Sequence, residues 1–131
     1  MRLLVADDHP LFRLGLKAAL EAEGLEVVAE AGTGEEALAQ ALEKAPDAVL
    51  LDLRMPGMDG LTFLRLLKER HPKILCIVVT AYGTWETAVE AMRLGAYTHL
   101  SKPFDTDDLR QRVARALERK EISERAPGST D

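Results

Sequence analysis

The regular alternation of short aliphatic runs with longer amphipathic stretches constrains this chain more than any other feature. Five short runs of five to seven residues occupy positions 2–6, 26–30, 48–52, 74–80 and 97–101. Each run is too short for a typical helix. The first four are rich in aliphatic residues and the fifth combines Leu100 with aromatic and β-branched residues, which predicts strands. The fourth run is unbroken from Ile74 to Val79, as expected of a parallel strand that is covered on both faces.

Between these runs, apolar residues recur at the three- and four-residue spacing of amphipathic helices. Phe12, Leu16 and Leu20 show this spacing in the first stretch. The later stretches repeat it at Leu38, Ala41, Leu42 and Ala45; at Phe63, Leu66 and Leu67; at Trp85, Ala88, Val89 and Met92; and at Leu109, Val113, Ala116 and Leu117. The sequence therefore predicts five strands that alternate with five helices.

Signals at the ends of these stretches agree with the helices. Pro10 stands at a first helical position, and Thr33 with Glu36 forms a capping box. Gly24 and Gly95 stand where helices should end.

Strict alternation predicts right-handed crossovers and an α/β fold, (βα)5, in which helices cover both faces of a doubly wound parallel sheet of five strands. The last six residues, 126–131, have linker composition. We therefore expect a domain at residues 1–120. Residues 121–131 would be a tail or the start of a linker to an absent output domain.

Composition narrows the class of protein. Seventeen Lys and Arg against 22 Asp and Glu give a net charge of -5, which argues against a domain that grips nucleic acid. The single cysteine, Cys76, excludes an internal disulfide and a thiolate metal cage and suits a reducing compartment. No apolar run approaches the roughly 18 residues of a membrane span. We expect a cytoplasmic domain that contacts neither nucleic acid nor membrane directly.

Polar side chains follow four of the five predicted strands. They are Asp7 and Asp8 after the first strand, Asp52 at the end of the third, Thr80 at the end of the fourth, and Ser101 and Lys102 at the end of the fifth. Ligands of open α/β sheets bind beyond the carboxyl ends of the strands. Three carboxylates, a hydroxyl and an ammonium should therefore converge. The second strand lacks such a group, which suits an edge position.

Three carboxylates in one crevice repel one another unless one is protonated or a cation joins them. Hard oxygen ligands, without a set of His or Cys, favour Mg²⁺ over zinc. Lys102 suits a phosphoryl oxygen, Thr80 can donate a further hydrogen bond, and an Asp carboxylate can itself be a nucleophile. The residues alone therefore predict Mg²⁺-dependent phosphorylation of a carboxylate.

Four motifs stand in order at the ends of the expected strands. They are Ala6-Asp7-Asp8-His9, the segment LDLRMPGMDG from Leu51 to Gly60, Val79-Thr80-Ala81 and Lys102-Pro103-Phe104. Together they resemble the receiver domain of bacterial two-component response regulators, over about residues 2–118. The resemblance implies a flavodoxin-like strand order, 2-1-3-4-5. It also implies a signalling switch, not an enzyme with a separate substrate, which catalyses only its own phosphorylation and dephosphorylation.

The resemblance implies a role for each acidic residue. Asp52 would be the phosphoacceptor, and its donor would be a sensor histidine kinase or a phosphotransfer protein. Asp8 would bind Mg²⁺ directly, together with Asp52, and Asp7 would act largely through water. The main-chain carbonyl of Arg54 would complete the metal ligands that the protein supplies.

It also implies which groups hold the phosphoryl oxygens. These would be the Thr80 hydroxyl, the Ala81 amide and the Lys102 ammonium. A cis peptide between Lys102 and Pro103 would aim the lysine inward, and proline is the residue that makes this isomer accessible.

The family transmits its signal through the fourth helix, fifth strand and fifth helix. Thr80 would be drawn toward the phosphate, and an aromatic residue of the fifth strand would turn inward. At that position this chain has His99, with Tyr97 two residues earlier on the same face. Either could take the part of the aromatic. The resulting face would contact an output domain, a downstream protein or a second copy of the chain, and the expected output is transcription regulation.

Other residues have ordinary structural interpretations. His9 is expected at the start of the first helix, pointing away from the acids. Cys76 is expected to be an inert core residue, and Trp85 to be partly core. The basic residues of the last helix would form a solvated face or, alternatively, a docking or dimer face; they are Arg110, Arg112, Arg115, Arg119 and Lys120.

Two other classes of protein are alternatives on the residues alone. A phosphatase or phosphotransferase of the haloacid dehalogenase type expects an Asp-x-Asp pair after its first strand, whereas Asp7 and Asp8 are adjacent. A flavin-binding module would need a phosphate-binding loop after its first strand, where these two acids would repel the phosphate. The sequence also leaves two types of output domain as alternatives. Residues 8–12 are similar to receivers joined to LuxR-type DNA-binding domains, and residues 80–96 to receivers of ATPase-type transcription activators.

Overall fold

The computed structural model describes residues 1–80, 85–102 and 104–125, in which five strands alternate with five helices. The strands are β1 (Arg2–Ala6), β2 (Glu26–Ala31), β3 (Ala48–Asp52), β4 (Leu75–Thr80) and β5 (Thr98–Ser101). The helices are α1 (Pro10–Ala22), α2 (Gly34–Lys44), α3 (Gly60–Arg70), α4 (Trp85–Arg93) and α5 (Thr106–Arg125). The predicted strands and helices are confirmed, and strand ends differ from the predicted ones by one residue at most.

All strands pair in parallel, in the order β2-β1-β3-β4-β5. The expected strand order is confirmed, and β2 lies at an edge, as its lack of polar end groups suggested. The chain adds β2 on one side of β1 and then β3, β4 and β5 on the other side, so the direction in which strands are added reverses between β1 and β3. In such sheets this switch point is where the crevice for ligands opens.

Each face of the sheet has its own apolar layer because side chains alternate along every strand. Val49 and Leu51 of β3 join the cluster that buries Phe63 and Leu67 of α3, together with α2 and α4. The neighbouring β3 residues Ala48 and Leu50 join the cluster beneath α1 and α5. Strand β3 is buried along its full length, which makes it the rigid centre of the sheet.

The predicted helix signals act as expected, with one shift. Pro10 is the first residue of α1, and Gly24 and Gly95 adopt positive φ angles of 84° and 108° after α1 and α4. Thr33 Oγ1 accepts a hydrogen bond from the Glu36 N–H at 3.1 Å. The Glu36 carboxylate, however, accepts from the N–H of Gly32, at 2.6 Å, and not from that of the cap residue.

Helix α5 continues to Arg125, five residues past the expected domain boundary at residue 120. Residues 126–131, expected as a tail or linker, lie outside the described residues. Within the described ranges, no helix has both the length and the apolar character that a membrane span requires.

Candidate functional site

Two buried carboxylates share one ammonium at the carboxyl end of the sheet. Lys102 Nζ lies 3.1 Å from Asp7 Oδ2 and 3.2 Å from Asp52 Oδ2. Asp7 and Asp52 are only 2% and 3% exposed. Such burial of charge is tolerated only with a close partner of opposite sign. The predicted convergence of residues from the ends of three strands is therefore present.

Strand register explains this meeting. Ala6 of β1 pairs with Leu51 of β3, so the next residue of each strand, Asp7 and Asp52, emerges side by side. Lys102 follows β5, and its N–H donates to the Thr80 carbonyl at 2.7 Å. That bond fixes the backbone from which the lysine side chain reaches back over the sheet.

One aromatic ring lies against the lysine ammonium, and a second ring packs against the first. Lys102 Nζ lies 4.2 Å from the centroid of the Phe12 ring, within the range of a cation–π contact. Phe104 packs edge-on against Phe12, with centroids 5.9 Å apart. The sequence placed Phe12 only in an amphipathic stripe. Its contact with the lysine depends on tertiary packing, for which the sequence carries no local signal.

Asp7 is held as an anion. Burial by itself would raise the pKa of this carboxyl group. The His9 backbone N–H, which donates to Asp7 Oδ1 at 2.8 Å, and the Lys102 ammonium outweigh that effect, so the pKa lies below its ordinary value. The side chain is therefore a carboxylate at neutral pH.

Asp8 is the carboxylate without a settled partner. Its Oδ1 atom is buried and makes no hydrogen bond of good geometry, although His9 Nδ1 lies 3.0 Å away. Donor atoms of Asp7, Asp8, His9 and Asp52 all lie within 4.8 Å of one another. Carboxylate oxygens at this spacing fit a hard divalent cation, which would satisfy the orphaned oxygen.

The expectation that His9 points away from the acids is wrong. Its Nδ1 atom lies 3.1 Å from Asp7 Oδ1 as well as close to Asp8. His9 is the N-cap residue of α1 with extended backbone, and its side chain makes no capping bond. The turn closed by its N–H on Asp7 leaves the ring beside the carboxylates.

Asp52 is further fixed by the loop that follows it. The Arg54 N–H donates to Asp52 Oδ1 at 2.9 Å, so both carboxylate oxygens have a partner. The Arg54 side chain is exposed. The structure thus assigns the backbone of Arg54 to the site through its N–H. The role expected for its carbonyl stays a prediction.

Thr80 is buried at the end of β4, and Ser101, its partner in register on β5, is exposed. Two further residues expected at the site, Ala81 and Pro103, lie outside the described residues. The expected cis peptide before Pro103 lies outside them too.

The two candidates for the switch aromatic contact different helices. The His99 ring meets Trp85 of α4 edge-on, with centroids 6.2 Å apart. Tyr97 lies 5.6 Å from the Arg119 guanidinium of α5. The expectation that they share a strand face is wrong because Tyr97 precedes β5, where strand alternation does not yet apply.

Trp85 is not part of the core, contrary to expectation. It is 68% exposed because it is the first residue of α4, one turn before the buried Ala88. The apolar spacing of the helix predicts the side on which Trp85 lies. It does not predict at which residue of the helix the contact with the sheet begins. Cys76, by contrast, is fully buried, as predicted.

Arg13 was not expected at the site. Its Nη1 donates to the main-chain carbonyl of Asp7, and its Nε donates to Glu30 Oε1 at 3.2 Å. Helix α1 thereby holds the backbone of the acidic loop against β2. An arginine within an amphipathic helix gives no sequence signal for such a role.

Comparison with known proteins agrees with this site. The model of the response regulator receiver domain matches residues 3–114. The DNA-binding transcriptional regulator NtrC of Salmonella typhimurium is 42% identical over 113 residues, which cover 86% of this chain and 24% of NtrC. Sporulation initiation phosphotransferase F of Bacillus subtilis is 38% identical over 88% of this chain and 93% of its own length.

The REC domain of AraT, a response regulator from Geobacillus stearothermophilus, superposes with a TM-score of 0.87 at 40% identity, covering 94% of this chain and 97% of that one. The chain spans about a quarter of the length of its NtrC relatives (24%). These matches favour the receiver interpretation over the phosphatase and flavin-binding alternatives. Because the family model covers most of the chain and its relatives align along it, the chain belongs to the response regulator receiver domains of bacterial two-component systems.

Proposed function

We propose that this domain is a phosphorylation-activated switch. Asp52 accepts a phosphoryl group from a sensor histidine kinase or a phosphotransfer protein in a Mg²⁺-dependent reaction. The observation that carries the proposal is the buried arrangement of Asp52 and Asp7 around the single ammonium of Lys102.

Asp52 is the carboxylate best suited to be the acceptor. The Arg54 N–H holds its Oδ1, and its Oδ2 faces Lys102, so the carboxylate is presented in one orientation. In the transfer, a carboxylate oxygen forms a bond to phosphorus while the bond from phosphorus to the donor's leaving group breaks. Lys102 offsets the negative charge that arrives, which is how phosphoryl transfer is mainly promoted.

Asp7, Asp8 and Asp52, with the main-chain carbonyl of Arg54, would hold the Mg²⁺ ion. The buried Asp8 Oδ1 without a hydrogen bond supports this fit. When bound, the ion supplies positive charge that offsets the repulsion among the acids and the incoming phosphoryl group. The chain's own part is to hold the carboxylates in place, and the lowered pKa of Asp7 keeps that group ionised.

Thr80, the Ala81 amide and Lys102 would hold the phosphoryl oxygens. The burial of Thr80 at the end of β4 supports this role. The domain would catalyse its own phosphorylation and dephosphorylation and turn over no other substrate.

The signal would leave through α4, β5 and α5. The contact between His99 and Trp85 on this face supports that route, because it joins a strand next to the site to an exposed helix. Relatives that are transcriptional regulators, such as NtrC, favour transcription regulation as the output. An output domain, a downstream protein or a second copy would then occupy this face.

Intact mass spectrometry after incubation with acetyl phosphate tests the acceptor. We expect wild-type protein to gain one phosphoryl group with Mg²⁺ and none after the metal is removed. Asp52→Asn keeps the shape of the side chain but removes the nucleophile, so it should gain none. A phosphoryl group that persists on Asp52→Asn would refute the assignment.

A protein that ignores acetyl phosphate is tested next with beryllofluoride, a phosphoryl mimic. Binding that requires both Mg²⁺ and Asp52 would keep Asp52 as the acceptor and restrict the donor to a protein. Absence of both reactions would contradict the proposal.

A further inference from the structure

We propose that His9 supplies an imidazole ligand to the acidic site, so that the site selects borderline cations such as Ni²⁺ more strongly than its carboxylates alone would. The inference rests on the proposed function because it concerns the same cation site. It adds a residue that determines which cation the site prefers.

The ring nitrogen of His9 lies close to two acids of the site. His9 Nδ1 lies 3.1 Å from Asp7 Oδ1 and 3.0 Å from Asp8 Oδ1. Ligands that bind one cation at about 2.1 Å, on adjacent corners of an octahedron, are themselves about 3.0 Å apart. The nitrogen therefore stands where a neighbouring ligand of the two carboxylates would stand.

Neither packing nor helix capping explains this position of the ring. The His9 side chain is 66% exposed, so the apolar core does not place it. Its backbone caps α1, but its side chain makes no capping bond. A hydrogen bond between His9 Nδ1 and Asp7 Oδ1 holds the ring instead, with Asp8 Oδ1 beside it, so the two acids themselves position the nitrogen.

An imidazole among the ligands changes which cations a site prefers. Oxygen-only sites suit Mg²⁺, whereas an imidazole nitrogen suits nickel, copper and zinc. The sequence favoured Mg²⁺ on the ground that no His or Cys set was present. The folded chain brings one imidazole to the carboxylates, which shifts the relative preference of the site.

Calorimetric titration of the untagged protein with NiCl₂, and separately with MgCl₂, tests this inference. In His9→Ser we expect the affinity for Ni²⁺ to fall at least about tenfold, since even outer ligands of metal sites are worth that much. The affinity for Mg²⁺ should stay within about twofold, because the oxygen ligands are intact. Serine is a favourable N-cap residue, so helix α1 should be retained, as thermal unfolding would verify.

Two further variants locate the effect. Asp8→Asn should weaken both metals, which ties them to one site. His71→Gln is the matched control, because His71 lies at the end of α3, away from the carboxylates, and its loss should change neither affinity.

The outcomes separate this inference from the proposed function. Wild-type protein that binds Mg²⁺, with a nickel affinity unchanged in His9→Ser, would overturn the role of His9 and leave the switch intact. An equal gain for both metals in His9→Ser would also overturn it, because the ring would then act as a competing positive charge. Wild-type protein that binds neither metal would contradict the cation site of the proposed function itself.

Discussion

Lys102 shows how much one side chain can determine at the residue scale. A single ammonium faces two buried carboxylates, at 3.1 and 3.2 Å. Lys102→Met keeps most of the side-chain volume but leaves Asp7 and Asp52 buried together without a counter-charge. We expect the free energy of unfolding in the absence of divalent cations to fall by about 3 kcal/mol, the usual scale for breaking a buried ion pair. Urea denaturation would measure the change.

Two comparisons identify the cause of that loss. Mg²⁺ should restore part of the stability of Lys102→Met, because a cation that binds only the folded state stabilises it. The matched control is Lys17→Met, which removes a half-exposed lysine 3.6 Å from Glu30. Exposed pairs contribute little, so this change should stay below about 1 kcal/mol. Equal losses in the two variants would contradict the electrostatic explanation.

The thiol of Cys76 gives a second prediction at this scale. Complete burial in β4 raises its pKa to about 12, and only the thiolate reacts with disulfide reagents. Labelling of the folded protein should therefore stay slow from about pH 7 to pH 10, whereas the labelling rate of an ordinary thiol increases as the pH rises through this range. In the unfolded chain the thiol ionises once the pH exceeds the ordinary thiol pKa, whereas the buried thiol of the folded protein keeps its proton. The free energy of unfolding should therefore fall as the pH rises past the ordinary thiol pKa.

Ala18→Cys in a Cys76→Ala background provides the control for labelling. Ala18 is exposed on α1, so its replacement should react quickly and more so at higher pH. Reaction of folded wild-type protein as fast as this control would show that Cys76 is accessible.

At the scale of elements, the sequence predicted what depends on local periodicity. Strand β3 and helix α3 follow from aliphatic runs and from the spacing of Phe63 and Leu67. What it missed depends on how elements meet. The ring of His9 turns toward the acids because of the loop between β1 and α1. Trp85 is exposed because of where α4 starts. The local spacing of residues predicts neither feature.

The start of α2 illustrates such a meeting of elements. A Cβ atom added to Gly34 would lie 2.7 Å from the Cβ atom of Met58, in the loop between β3 and α3. Glu35 binds the same loop, because its carboxylate accepts the Met58 N–H at 3.1 Å. Gly34→Ala should therefore reduce the free energy of unfolding by about 1–3 kcal/mol, as overpacking does.

Gly15→Ala in α1 is the matched control for this effect. A Cβ atom there would meet nothing within 4 Å, so the usual preference of helices for alanine should raise stability by about 0.5–1 kcal/mol. Urea denaturation of both variants should give changes of opposite sign. Stabilisation of the protein by Gly34→Ala would show that the loop has room to move.

At the scale of the whole molecule, the sheet connects the acidic site to the face formed by α4, β5 and α5. Thr80 ends β4 beside Ser101 of β5, and two residues earlier Val78 pairs with His99. The His99 ring then contacts Trp85 on α4. A change at the end of β4 can therefore reach an exposed helix through one strand and one ring contact.

Trp85 is the single tryptophan of the chain, so its fluorescence reports on this face alone. We expect beryllofluoride with Mg²⁺ to change its emission in wild-type protein and to leave Asp52→Asn unchanged. His99→Ala should lose most of the change because the ring contact is removed, although intact mass after incubation with acetyl phosphate and Mg²⁺ should show that Asp52 can still be phosphorylated. Tyr97→Phe is the control, since Tyr97 contacts α5 and its ring is kept. A ligand shifts a conformational equilibrium only by its differential affinity for the two states. If the change in Trp85 emission were as large in His99→Ala as in wild-type protein, the signal would reach α4 by a route other than the His99 ring.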